Sequence, residues 1–148
     1  MTTKKTYFQT FQDMVVWQQS FDFVKDVYSL LKDMSGFEKN TIASSFARSA
    51  LSIPVNIAKG QKRRGADFVK YLNFAKSNAA ECETYLLLVI DLLPEKSKEI
   101  KKMQETNAII QRMLGALAYT LEHPKNKKEE KNQVVYETTK NSEVLVTV

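Results

Sequence analysis

Apolar residues recur along this chain at alternating spacings of three and four, the period of an amphipathic helix. In the first such segment Met14, Trp17, Phe21, Val24, Tyr28 and Leu31 form one stripe, with Gln18, Gln19, Asp22, Lys25 and Lys32 mostly elsewhere. Ser35-Gly36 is expected to end this helix, because glycine readily takes the left-handed conformation of a C-terminal cap. A second segment, from about Glu38 to Gly60, turns Ile42, Phe46, Ala50, Ile53 and Ile57 inward. The third is the most regular, with Phe68, Leu72, Ala75, Ala79, Cys82, Leu86, Val89 and Leu93 in strict alternation of four and three. Pro94 suits the first turn of a fourth helix, where its missing N–H costs nothing. Ile100, Met103, Ile110, Leu114, Leu117 and Leu121 carry that helix to His123-Pro124, where proline stops it.

Four helices of about 20 to 28 residues joined by short loops predict an all-α fold, an antiparallel up-down-up-down four-helix bundle. The sustained period also fits shallow, coiled-coil-like crossing angles. The bundle domain is expected over residues 11–124, with a charged and polar tail over 125–148. The tail begins with a mixed charge cluster and ends in a polar, β-branched stretch, a composition that predicts disorder. VVYETT has the character of a segment that adds to a sheet edge, but no sheet is predicted for it to join.

Pro54 falls inside the second helix. It cannot donate to the carbonyl of Ala50, and its ring crowds that carbonyl, at a typical cost of about 3 kcal/mol. Either the helix stops near Ser52 or it continues with a kink. The apolar spacing runs from Phe46 through Ala50 and Ile53 to Ile57 without a change of phase, which favours the continuous helix. Ser49 or Ser52 is placed to bond carbonyls freed by the proline. The same helix carries a second stripe, Ser45, Ser49, Ser52, Asn56 and Lys59, flanked by Arg48. The third helix offers Ser77, Asn78, Glu81 and Thr84 to meet it. If the connection centres near Arg63, antiparallel pairing brings Arg48 within a turn of Glu81. A structural polar seam of Arg48, Ser52, Asn56 and Glu81 follows, with an Arg48–Glu81 ion pair inside the subunit or between subunits.

Charge adds one further feature. The 148-residue chain has a formal net charge of +5. Between Lys59 and Lys76 six basic residues (Lys59, Lys62, Arg63, Arg64, Lys70 and Lys76) face one acid, Asp67, so this short stretch holds as much excess charge as the whole chain. One cysteine excludes an internal disulfide, and one histidine leaves little for metal chemistry. The longest apolar run, YLLLVIDLL, is far short of the roughly 18 residues of a membrane span. The N-terminal MTTKKTYFQTF has no apolar region of the secretory kind. A soluble protein of the cytoplasm, with no membrane partner, is the expectation.

The stretches RSALSIPVNIAKGQKRR and FVKYLNFAKSNAAECETYLLL resemble the bacterial four-helix bundle proteins encoded by intervening sequences of large-subunit ribosomal RNA genes. That family's pattern is approximately Q-x-x-R-A-x-x-S-I-x-x-N-I-A-E-G, then a basic loop and an aromatic-rich helix with E-x-E. FQDMVVWQQSFDFVKDVYSLL resembles its opening helix, so the similarity spans about Phe11 to Glu122. Arg48, Ser52, Ile53, Asn56, Ile57 and Gly60 sit on the pattern, whereas Ser45, Ala47 and Lys59 depart from it. The resemblance implies a homo-oligomeric ring, typically a pentamer. It also implies a relation to the accessory proteins of diversity-generating retroelements, basic bundles that bind a reverse transcriptase and nucleic acid.

These readings converge on a non-catalytic protein. Lys59, Lys62, Arg63, Arg64 and Lys70 form a candidate nucleic-acid-binding cluster, able to neutralise phosphates without reading bases, with RNA favoured over DNA by the resemblance. The alternative is a protein-interaction adaptor or scaffold for an enzyme such as a reverse transcriptase. Glu81 and Glu83 point apart on a helix and cannot cooperate. Cys82 holds a core position, and a bundle metal site needs Glu-x-x-His motifs that the chain lacks. No metal, cofactor or catalytic residue is expected.

Overall fold

In the computed structural model, which describes residues 10–124, 135–138 and 144–147, the most regular stripe of the sequence forms the longest helix. Helices are numbered here α1 (Val15–Lys32), α2 (Ser44–Arg63), α3 (Gly65–Leu92) and α4 (Ser97–Glu122). Phe68, Leu72, Ala75, Ala79, Cys82, Leu86 and Val89 of α3 are all buried. They meet Phe46, Ala50, Ile53 and Ile57 of α2 and Ile100, Met103, Ile110, Met113, Leu114 and Leu117 of α4 in one core. Fully burying each large aliphatic or aromatic side chain of this kind contributes about 1.5–3 kcal/mol.

Each helix packs on its sequence neighbours, and α4 returns to α1, closing a square of four. The short links alternate between the two ends of the square. Lys96 Nζ, in the 3-10 turn Pro94–Lys96 ahead of α4, lies 2.6 Å from Asp33 Oδ2 just after α1. This ion pair ties the α1–α2 and α3–α4 connections together at one end. The α2–α3 connection is the single residue Arg64 at the other end. The fold is therefore the all-α four-helix bundle expected.

Helix α1 is rotated from the predicted face: Met14, Val24 and Leu31 of the predicted stripe are buried, whereas Phe21 and Tyr28 are not. Val16, Ser20, Phe23, Val27 and Leu30 are its innermost residues, one position back from the stripe of Trp17, Phe21 and Tyr28. Phe21 and Tyr28 are 44% and 45% exposed. Ser20 made the true stripe look interrupted, yet its hydroxyl donates to the Val16 carbonyl at 2.6 Å and so enters the core satisfied. The helix also ends earlier, at Lys32, and Gly36 uses its positive φ of 64° to turn the chain into the next helical segment.

That segment begins with one turn, Gly36–Glu38, and a π-helical turn, Lys39–Ala43, before α2 proper. Inside it the Thr41 hydroxyl donates to the Phe37 carbonyl at 2.9 Å, the acceptor that the Thr41 N–H takes in an α-helix. Helix α2 then runs unbroken through Pro54, which is buried. Ser49 and Ser52 donate to the carbonyls of Ser45 and Arg48. Among the described side-chain hydrogen bonds none reaches the Ala50 carbonyl, so the serines do not repair the proline's defect.

The expected disordered tail falls largely on residues 125–134, 139–143 and 148, outside the described residues. Its two described pieces are strands, β1 (Val135–Thr138) and β2 (Val144–Thr147), paired antiparallel with Val135 opposite Thr147. The β-branched stretch that had no predicted sheet to join finds its partner within the tail itself.

Candidate nucleic-acid interface

The α2–α3 end is shaped by two backbone features. Gly60 lets the helices close on each other: a Cβ there would lie 2.8 Å from Phe68 Cδ2 and 3.1 Å from Tyr71 Cβ. Arg64, with φ 61° and ψ −178° in a region essentially reserved for glycine, and Gly65, with φ 60°, then reverse the chain. The Arg64 N–H donates to the Gly60 carbonyl at 2.9 Å, and its carbonyl accepts from the Phe68 N–H at 3.3 Å. A turn this tight holds the flanking side chains in a small volume.

Lys59, Lys62, Arg63, Arg64 and Lys70 are all exposed at this end. Arg63 Nη1 lies 3.2 Å from Asp67 Oδ2, one helical turn on, and its guanidinium stands 5.3 Å from the Tyr71 ring centroid. Lys70 Nζ stands 5.9 Å from the centroid of Phe74. Lys59, Lys62, Arg64 and Lys70 have no carboxylate partner among the described residues. The two aromatic residues were not singled out from sequence, although Lys70 and Phe74 stand at the i,i+4 spacing that brings side chains together on a helix. The arrangement presents positive charge of the kind that neutralises phosphates.

The polar seam departs from expectation. Ser49, not Arg48, faces Glu81: Ser49 Oγ lies 2.5 Å from Glu81 Oε2. Phe46 stacks on Tyr85 at 5.3 Å in the same register. This centres the α2–α3 pairing near Gly65 rather than Arg63, which leaves Arg48 exposed and unpaired with Glu81 inside the chain. Ser52 and Asn56 bond their own helix, to the carbonyls of Arg48 and Ser52. Ser77, Asn78 and Thr84 of α3 do the same. Glu83 points the other way from Glu81, accepting from Gln111 Nε2 of α4 at 2.8 Å.

Among the described residues no group of three or more His, Cys, Asp or Glu side chains is arranged to hold a metal ion. Burial, with the Glu81 carboxylate adding to it, pushes the Cys82 thiol up to about 12, which removes it as a nucleophile at neutral pH. His123 is stacked on Tyr119 at the end of α4, 4.2 Å between ring centroids, with its Nδ1 2.9 Å from the Tyr119 carbonyl oxygen. No helix is long and apolar enough to cross a membrane among the described residues.

Fold and site together define a helical bundle with one cationic end. The model of the 23S rRNA-intervening sequence protein family matches residues 12–116, and the chain belongs to that family. The crystal structure of a protein of unknown function from the S23 ribosomal protein family of Bacteroides thetaiotaomicron is similar to it. The two share 26% identity with a TM-score of 0.61, over 68% of this chain and 94% of the other. No curated protein matches.

Proposed function

We propose that this protein is a non-catalytic, ring-forming bundle of the cytoplasm that binds nucleic acid, RNA first, through its α2–α3 end. Residues 11–124 form the binding domain in this reading, and 125–148 an appended tail. The observation that carries it is the exposure of Lys59, Lys62, Arg63, Arg64 and Lys70 around a one-residue connection, with Asp67 the one acid in the stretch. A ring repeats the cluster on every subunit, so weak phosphate contacts add through effective concentration. The family's tie to ribosomal RNA genes favours RNA over DNA. The test is retention of labelled RNA across a salt series. Affinity should fall steeply with salt and with Arg63→Ala/Arg64→Ala; retention at low salt that ignores both substitutions sinks the reading.

A second reading, an adaptor for an enzyme such as a reverse transcriptase, draws on one observation. Phe21, Val24, Tyr28 and Leu51 line an open groove of about 450 Å³ between α1 and α2, rimmed by Lys25 and Lys32. The same apolar face suits contact between subunits. Solution mass separates the two uses: a pentamer at five times the 17.0 kDa chain supports the ring, whereas a monomer overturns it.

A further inference from the structure

The cations of the α2–α3 end surround two aromatic rings. Tyr71 and Phe74 meet edge to face, with centroids 5.7 Å apart and planes at 84°. Tyr71 is half-buried beside Gly60, which fixes its ring and the Arg63 guanidinium above it. Phe74 is 46% exposed and stands outside the core stripe, which passes through Leu72 and Ala75 on either side of it. A phenyl ring left nearly half exposed next to an ammonium group forgoes part of the burial it gains elsewhere. That exposed part of the ring is the feature to explain.

We propose that this end of the bundle takes single-stranded nucleic acid, with an unpaired base stacked on Phe74 and the adjoining phosphates held by Arg64, Lys62 and Lys70. The proposal rests on the nucleic-acid reading above and narrows it to one class of substrate. Inside a duplex both faces of a base are covered by its neighbours, so a ring on a convex helix surface has nothing to stack on. An unpaired base offers a free face, and stacking of this kind is tolerant of sequence. Arg64 and Phe74 are ten residues apart, about 15 Å along α3, a span that a few nucleotides of one strand cover. Charge complementarity selects the occupant: Asp67 is already engaged by Arg63, which leaves the other cations to a polyanion. An apolar peptide matches the ring but not the cations, and a duplex matches the cations but not the ring.

The experiment is fluorescence anisotropy with a labelled oligouridylate and a labelled RNA duplex of equal length, on the full chain, at several salt concentrations. Phe74→Ala should weaken oligouridylate binding roughly tenfold, leave the salt slope unchanged and alter duplex binding less than about twofold. Phe74→Trp should restore the affinity, with quenching of the new indole on binding. Because Phe74 lies outside the core, circular dichroism should show both variants folded. An unchanged oligouridylate affinity in Phe74→Ala, an equal loss on the duplex, a failure of Phe74→Trp to rescue, or a changed solution mass each overturns the stacking assignment. If both RNAs bind, and both are lost in Arg63→Ala/Arg64→Ala while Phe74→Ala is silent, the stacking assignment alone falls. If neither RNA binds at low salt, the nucleic-acid reading falls with it.

Discussion

Ser49 Oγ, on a residue only 6% exposed, lies 2.5 Å from Oε2 of Glu81 and so joins α2 to α3 near the middle of their contact. The hydroxyl has one proton and two acceptors in reach, the Glu81 carboxylate and the Ser45 carbonyl at 3.1 Å. An ionised acceptor makes the stronger bond. Ser49→Ala removes it and leaves Glu81 exposed and hydrated, so the loss should be about 1 kcal/mol rather than the larger cost of a stranded buried charge. Arg48→Ala, one residue away, should change stability by less than about 0.5 kcal/mol, as for an ordinary surface substitution. Urea unfolding of the two variants checks the pair; equal losses would return Arg48 to the seam.

Gly60 is required by packing rather than by φ. A methyl group there would sit 2.8 Å from Phe68 Cδ2 and 3.2 Å from the Phe68 carbonyl oxygen, which belongs to backbone and cannot swing aside. Gly60→Ala gains helix propensity of about 1 kcal/mol, against an overpacking cost of typically 1–3 kcal/mol. The expected net effect is a lower Tm, by a few degrees for a chain of this size. Gly115, whose added Cβ would meet only Lys76 Nζ at 3.7 Å, is the control, and Gly115→Ala should raise Tm slightly.

How far the sequence shows the fold depends on whether a helix carries one apolar stripe or two. On helix α3 the most regular stripe is the true one, although Phe74, Leu87 and Leu88 stand outside it, and every position from Phe68 to Val89 read as inward is buried. Helix α1 carries two side by side. Its aromatic stripe of Trp17, Phe21 and Tyr28 outweighs the true one, which Ser20 interrupts between Val16 and Phe23. Periodicity cannot reveal that a serine hydroxyl will bond its own helix and so behave as a small core residue. Asn107 of α4 also fills a core position, between Met103 and Ile110, but it reaches across to donate to the Ala79 carbonyl of α3 at 3.0 Å, and its Oδ1 is buried without a hydrogen-bond partner among the described residues. The basic cluster was legible from charge alone. Its aromatic half was not, because Arg63 and Tyr71 meet across a reversal whose geometry depends on Arg64 taking a positive φ.

Cys82 gives a pH dependence with a definite sign. Its thiol is buried in the α3 core, and burial first, then the Glu81 charge, raise it from 9.0 to about 12. The unfolded chain releases this proton at lower pH than the folded one. The contribution to stability is therefore fully present below about 9 and is lost as pH rises toward 12. Cys82→Ala should cost on the order of 1 kcal/mol at pH 7 from lost packing. The variant should also lose less stability than the parent between pH 9 and pH 11. Urea titrations at three pH values measure this. A thiol reagent at pH 8 should label the parent only as fast as it unfolds, and immediate labelling would contradict the burial.

Arg64 sets stability against binding. Its φ of 61° with ψ near 180° lies where a Cβ is strained, at a cost of order 1–3 kcal/mol, and glycine pays none of it. Arg64→Gly should therefore raise stability, by about 1 kcal/mol after glycine's larger loss of backbone freedom is counted. Arg64→Lys keeps the charge and the strain, so it should leave stability nearly unchanged. On labelled RNA the order reverses: Arg64→Gly should weaken binding and flatten the dependence of log K on log salt by about 0.7 to 0.9, the value of one phosphate contact, while Arg64→Lys keeps the slope. Lys98→Gly, at an exposed position in the first turn of α4 beside the opposite end of the bundle, should leave RNA affinity nearly unchanged and lower stability by less than about 1 kcal/mol. A turn residue that is costly to fold and whose removal costs only RNA affinity is placed there for binding. If Arg64→Gly stabilises the chain with RNA affinity and salt slope intact, the α2–α3 end is not where the phosphates go.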